Sequence, residues 1–145
     1  MIYRLHSIVL QFPFILSNTF VLVEVDISAN LVLRFFLEIA AFSGYFYWGW
    51  SIHTGNGRYF WSIGLFLFIA VLWGAFRVPG DPSSGGRVFI AVPGIVRLFI
   101  EVSVFAGSVF VIYQSGKENY AYLLGVLVLF HYIVGYRRVL WLLEQ

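Results

Sequence analysis

Two glutamates and a histidine stand inside otherwise apolar runs of this chain. Glu38 follows Arg34 by four positions, and Glu101 follows Arg97 by four. That spacing puts each arginine and its glutamate on one helical face, close enough to pair. A charge at the centre of a bilayer helix costs about 2.5–3.5 kcal/mol on insertion scales, so such residues turn towards the protein interior and are candidates for function. A buried carboxylate beside a guanidinium can do either of two things. It can alternate between protonated and charged forms, as a carrier's binding group does, with burial raising its pKa and arginine lowering it. Or it can stay ionised and fasten helices to one another.

His131 has three readings: a hydrogen-bonded interior histidine, a proton relay to Glu38 or Glu101, or a metal or haem ligand. A bis-histidine haem needs a second histidine at matching depth, and His6 and His53 fall outside the apolar runs. No cofactor or metal is expected. The candidate polar cluster is Arg34, Glu38, Arg97, Glu101 and His131, with Trp73, Arg77 and Arg138 as accessory residues. The chain has no paired-histidine zinc spacing and no nucleophile–base pair, and an enzyme is not expected. Cysteine is absent, which removes disulfides and thiolate chemistry. The Ser83-Ser84-Gly85-Gly86 run lacks the lysine-threonine and the strand–helix setting of a phosphate loop, so it reads as a linker.

The elements that must position these groups follow from composition. Of the 145 residues, 61% are hydrophobic and 11% are charged, against about 45–50% and about 25% in soluble domains. So few charges cannot cover a water-exposed surface, whereas lipid needs no such cover. There is no basic stripe, and nucleic acid is not a partner. A spanning helix needs about 20 mostly apolar residues. Four stretches meet this, at about 29–52, 59–78, 89–113 and 120–143. They are too long for membrane strands. Their links are Gly-, Pro- and Ser-rich and short, which predicts antiparallel neighbours in an up-down-up-down order. Residues 1–28 are predicted to be a peripheral or loosely ordered segment, or to precede a later natural start, since Met1 is the sole methionine.

Arg4, Arg77, Arg87, Arg137 and Arg138 fall on one side of the predicted membrane and Arg58 and Lys117 on the other. Five against two places both termini in the cytoplasm. The two Arg-x-x-x-Glu motifs also align at an offset of 63, together with Phe42 and Phe105 and with Gly44 and Gly107. Self-similarity of this kind predicts a duplicated helical hairpin, hence an all-α integral membrane four-helix bundle of 2+2 pseudo-two-fold design.

Several stretches resemble the YrdB-like family of small bacterial membrane proteins. They are Asn30-Leu31-Val32-Leu33-Arg34-Phe35-Phe36-Leu37-Glu38 with Tyr47-Trp48-Gly49-Trp50, then Ala70-Val71-Leu72-Trp73-Gly74, the proline-rich loop, and Arg97-Leu98-Phe99-Ile100-Glu101. The likeness runs over about residues 30 to 145. It implies a four-helix protein of the bacterial inner membrane and implies no activity. Two functions stay open from the residues. One is a small carrier working through Glu38 and Glu101. The other is a structural or accessory subunit, as a homodimer or in a larger membrane complex, whose arginine–glutamate pairs stabilise packing.

Overall fold

The computed structural model describes residues 29–81 and 88–145. The expectations for residues 1–28, for Arg87 and for the Ser-Gly run lie outside the described residues.

The chain is mostly helical. Helix α1 covers Ala29–Ile52, α2 Gly57–Ala75 and α3 Gly94–Gln114, and each is long and apolar enough to cross a membrane. Helix α4, Glu118–Val134, and helix α5, Tyr136–Leu143, meet at 70° and make a fourth candidate span if the bent pair counts as one. A helix satisfies its own backbone groups, which lipid cannot do. The outward faces are apolar, which is consistent with a membrane protein. Phe60, Phe68, Phe99, Leu129 and Ile133 are all exposed, an apolar surface that a soluble monomer does not carry.

Two boundaries differ from the sequence reading. Helix α2 stops at Ala75 and α3 starts at Gly94, so neither reaches 78 or 89. Between them, β1 (Phe76–Arg77) and β2 (Ile90–Ala91) pair in parallel, with Phe76 opposite Ile90 and Arg77 opposite Ala91. Val78 and Val92 each precede a proline, which drives the backbone out of the helical region. The Val92 N–H then donates to the Arg77 carbonyl at 3.0 Å. The chain leaves β1 through a turn at Val78-Pro79-Gly80-Asp81, where the Asp81 N–H reaches the Val78 carbonyl at 3.3 Å and Gly80 has φ +80°. Proline second and glycine third is the residue pattern of a type II turn.

The third correction concerns the predicted 120–143 helix. It breaks at Gly135, where the sequence passes from a uniformly apolar run to an amphipathic one. In α5, Arg138 and Leu142 turn inward while Tyr136, Arg137, Leu140 and Leu143 stay exposed. Helix α3 lies at the centre of the packing. Its buried residues Arg97, Glu101, Val104, Phe105, Ser108 and Val111 recur at three- and four-residue intervals. Tyr45 and Ser108 tie α1 to α3 by donating to the carbonyls of Val104 and Ala41, each at 3.0 Å. Helix α3 closes on Gly116 (φ +71°), with Lys117 N–H on Ile112 O at 3.2 Å and Gly116 N–H on Tyr113 O at 3.0 Å. That is the doubly bonded glycine stop of a Schellman motif, and it aims the chain straight back into α4. At the other end of α3, Gly94 is buried against α5. A Cβ there would overlap the Leu142 carbonyl.

Candidate functional site

The charged cluster forms where α2 ends, α3 begins and α5 folds back. Glu101 is seven residues into α3, about 10 Å from its start, and is 1% exposed. Three guanidiniums converge on it. Arg97, one turn earlier on α3, donates from Nε to Oε1 at 2.8 Å. Arg34 reaches the same oxygen from α1 at 2.9 Å. Arg138 comes from α5 with both terminal nitrogens, at 2.8 Å to Oε2 and 2.8 Å to Oε1. Two parallel N–H···O bonds to one carboxylate are the strongest arrangement open to such a pair.

Around this centre the partners continue outward. Arg138 also donates to Asp81, at 2.7 Å to Oδ2 and 3.3 Å to Oδ1. The Pro-Gly turn after β1 is what presents that carboxylate. Arg34 donates from Nε to Glu38 at 2.9 Å. Arg97 uses Nη1 on the carbonyls of Trp73 and Phe76, both at 2.6 Å. The Trp73 carbonyl belongs to the last turn, which has no intrahelical partner where α2 stops, so Arg97 caps that helix. The Trp73 ring lies under two of the cations, 4.7 Å from the Arg97 guanidinium carbon and 5.4 Å from that of Arg34. Within this cluster three guanidiniums face three carboxylates: Arg34, Arg97 and Arg138 against Glu38, Glu101 and Asp81.

The chemistry of Glu101 follows from its donors. A guanidinium has N–H groups and no acceptor. A protonated Glu101 would direct its own O–H at donors alone, so the cage fits the ionised form. Glu38 differs. Its side chain is 23% exposed, and the one guanidinium it meets among the described residues is Arg34.

Of the residues singled out from the sequence, Arg34, Glu38, Arg97, Glu101, Trp73 and Arg138 come together. Arg138, expected at the margin, is at the centre. Arg77 turns aside, its Nε on the Gly74 carbonyl at 3.0 Å. His131 is buried but bonds elsewhere: its Nδ1 is 2.8 Å from the Asn30 side-chain oxygen, which ties the end of α4 to the start of α1. Among the described residues no hydrogen bond joins His131 to either glutamate, and no three His, Asp or Glu side chains are grouped to hold a metal. Asp81 and Asn30 were missed. The first sits in a Pro-Gly-Asp run that reads as an ordinary turn, and the second is a plain helix-start residue.

The model of a family described as protein of unknown function (DUF2568) matches residues 32–129, a stretch that contains both Arg-x-x-x-Glu motifs. The uncharacterized protein YrdB of Bacillus subtilis (strain 168) is 38% identical over 118 residues, which is 81% of this chain and 96% of that protein. No solved structure matches.

Proposed function

Since the chain belongs to the DUF2568 family, we propose a role argued from its own geometry: a non-enzymatic accessory protein of the bacterial inner membrane that works by association within the bilayer. In this reading α1 to α4 cross the membrane up-down-up-down, and α5 lies along the cytoplasmic surface as an amphipathic interfacial helix. Both termini are cytoplasmic by the distribution of arginine. The duplicated-hairpin origin is supported by Arg34 and Arg97, which meet the same Glu101 oxygen and the same Trp73 ring.

The observation that carries the proposal is the cage around Glu101. A carrier's carboxylate must release and regain a proton or a substrate. Glu101 is held by three guanidiniums at 2.8–2.9 Å, and protonating it would leave three buried cations facing a neutral acid. Such a group fixes helices in place. Glu38 supports the second reading, a proton carrier, because it is partly open and, among the described residues, pairs with Arg34 alone.

Reconstituting the protein in liposomes with an internal pH dye separates the two. The accessory reading expects proton leak no greater than in protein-free vesicles, and migration of the protein from native membranes as part of an assembly larger than one chain. Proton flux that Glu38→Gln abolishes in a folded protein would sink this reading in favour of the carrier, and migration as a monomer would sink it too.

A further inference from the structure

Helix α3 packs against both α1 and α4, and along part of its length the seam between those two stays open. An elongated cavity of about 480 Å³ occupies it. Leu33, Leu37 and Tyr47 of α1 form one wall, Leu123 and Leu127 of α4 the other, and Ile112 of α3 closes the back. From Leu33 to Tyr47 is fourteen residues, about 21 Å of helix. The hydrocarbon core of a bilayer is about 30 Å thick, so one leaflet's chains reach about 15 Å. The groove is long enough for one acyl chain and the ester region above it.

Its ends differ. The Leu33 end is wholly apolar. The other end carries Lys117, whose Nζ is 6.0 Å from the Tyr47 ring centroid. Among the described residues no carboxylate pairs with Lys117. The adjacent Glu118 lines the α3–α4 turn and not the groove. An unpaired ammonium at the mouth of an apolar slot fits a phosphate above a hydrocarbon tail.

We propose that the α1–α4 groove holds one anionic phospholipid, its acyl chain between Leu33 and Tyr47 and its phosphate at Lys117, in the leaflet on the side of the α3–α4 turn. The arginines at the opposite end do not compete for this role through the Glu101 cage, since their guanidiniums already face carboxylates there.

The test uses the delipidated full chain in mixed micelles of equal phosphatidylglycerol and phosphatidylcholine, with bound lipid counted by native mass spectrometry. One retained phosphatidylglycerol per chain is expected. Lys117→Gln should lower the preference over phosphatidylcholine about fivefold, the ratio given by about 1 kcal/mol for one basic residue near an anionic headgroup. Ala40→Phe, which fills the groove from α1, should abolish retention of both lipids. Leu123→Trp does the same from α4 and keeps the test intact if the first variant does not fold. Arg137→Gln, on exposed α5, should change nothing. Equal retention of the two lipids by the wild type, several lipids bound alike, a filled groove that still retains one, or a preference moved by Arg137→Gln and not by Lys117→Gln would each overturn the proposal.

Discussion

Helices α1 and α3 carry the same Arg-x-x-x-Glu spacing, and each arginine bonds its own glutamate through Nε, at 2.9 Å on α1 and 2.8 Å on α3. Beyond that one contact the two motifs part. Among the described residues, Glu101 is enclosed by α1, α3 and α5 and takes three guanidiniums, whereas Glu38 has Arg34 alone and is partly exposed. Local spacing sets the pair within a helix, because it depends on helical pitch alone. The number of further partners is set by how many other elements reach that face. Helices α1 and α5 both bring a guanidinium to the Glu101 face of α3, and no second guanidinium among the described residues reaches Glu38, so one sequence pattern yields a central clamp and a peripheral pair.

The largest test of this contrast is Glu101→Gln. It leaves three buried guanidiniums with one carboxylate fewer, and breaking a buried ion pair by removing one partner costs about 3–5 kcal/mol. Thermal unfolding in detergent should show Glu101→Gln far less stable than wild type. Equal melting would dissolve the distinction between the motifs. Next is Asp81→Asn, which removes the second carboxylate on Arg138 while Glu101 stays in place. Hydrogen bonds to charged groups are worth about 1.5–3 kcal/mol, and the melting point should fall by less than for Glu101→Gln. A third change acts on the element that brings Arg138 in. Gly94→Ala pushes a methyl into the Leu142 carbonyl, and overpacking of this kind costs about 1–3 kcal/mol. Its mark is local: α5 lifts from α3, and trypsin cuts after Arg137 or Arg138 faster than in wild type. Unchanged cleavage would mean that Arg138 is held by its carboxylates and not by α5 docking.

How far the sequence foretold this arrangement differs from residue to residue. The spans and the two Arg-x-x-x-Glu pairs were legible, since each depends on residues within one helix. The break at Gly135 was not. Its apolar neighbours run on through Trp141, and the single cue was the change from a uniformly apolar to an amphipathic pattern at Tyr136-Arg137-Arg138. The Asp81–Arg138 bridge joins residues 57 positions apart, and no local pattern encodes such a distance. The same holds for Asn30 and His131, separated by 101 positions. Of the three readings of His131, the hydrogen-bonded interior histidine is the one its bond to Asn30 fits. Position along α4 fixes height but not direction round the helix, so it could not pair His131 with a glutamate.

The smallest effect is the one that isolates the contrast. Glu38→Gln removes a charge from a partly exposed pair, and the neutral amide oxygen still accepts from Arg34 Nε. Arg34 keeps its bond to Glu101. The melting point should therefore fall less than for Glu101→Gln or Asp81→Asn. A single substitution at Arg34 mixes its two bonds, and a double-mutant cycle separates them, because the loss of the Glu101 contact is common to both arms. The cycle of Arg34→Gln with Glu38→Gln should give the smaller coupling, near the lower end of about 0.5–3 kcal/mol for contacting residues. The cycle of Arg97→Gln with Glu101→Gln should exceed it by about 2 kcal/mol, as couplings within buried networks do. Equal couplings would show that the four-residue spacing alone sets both pairs, and that the helices gathered around Glu101 add nothing to it.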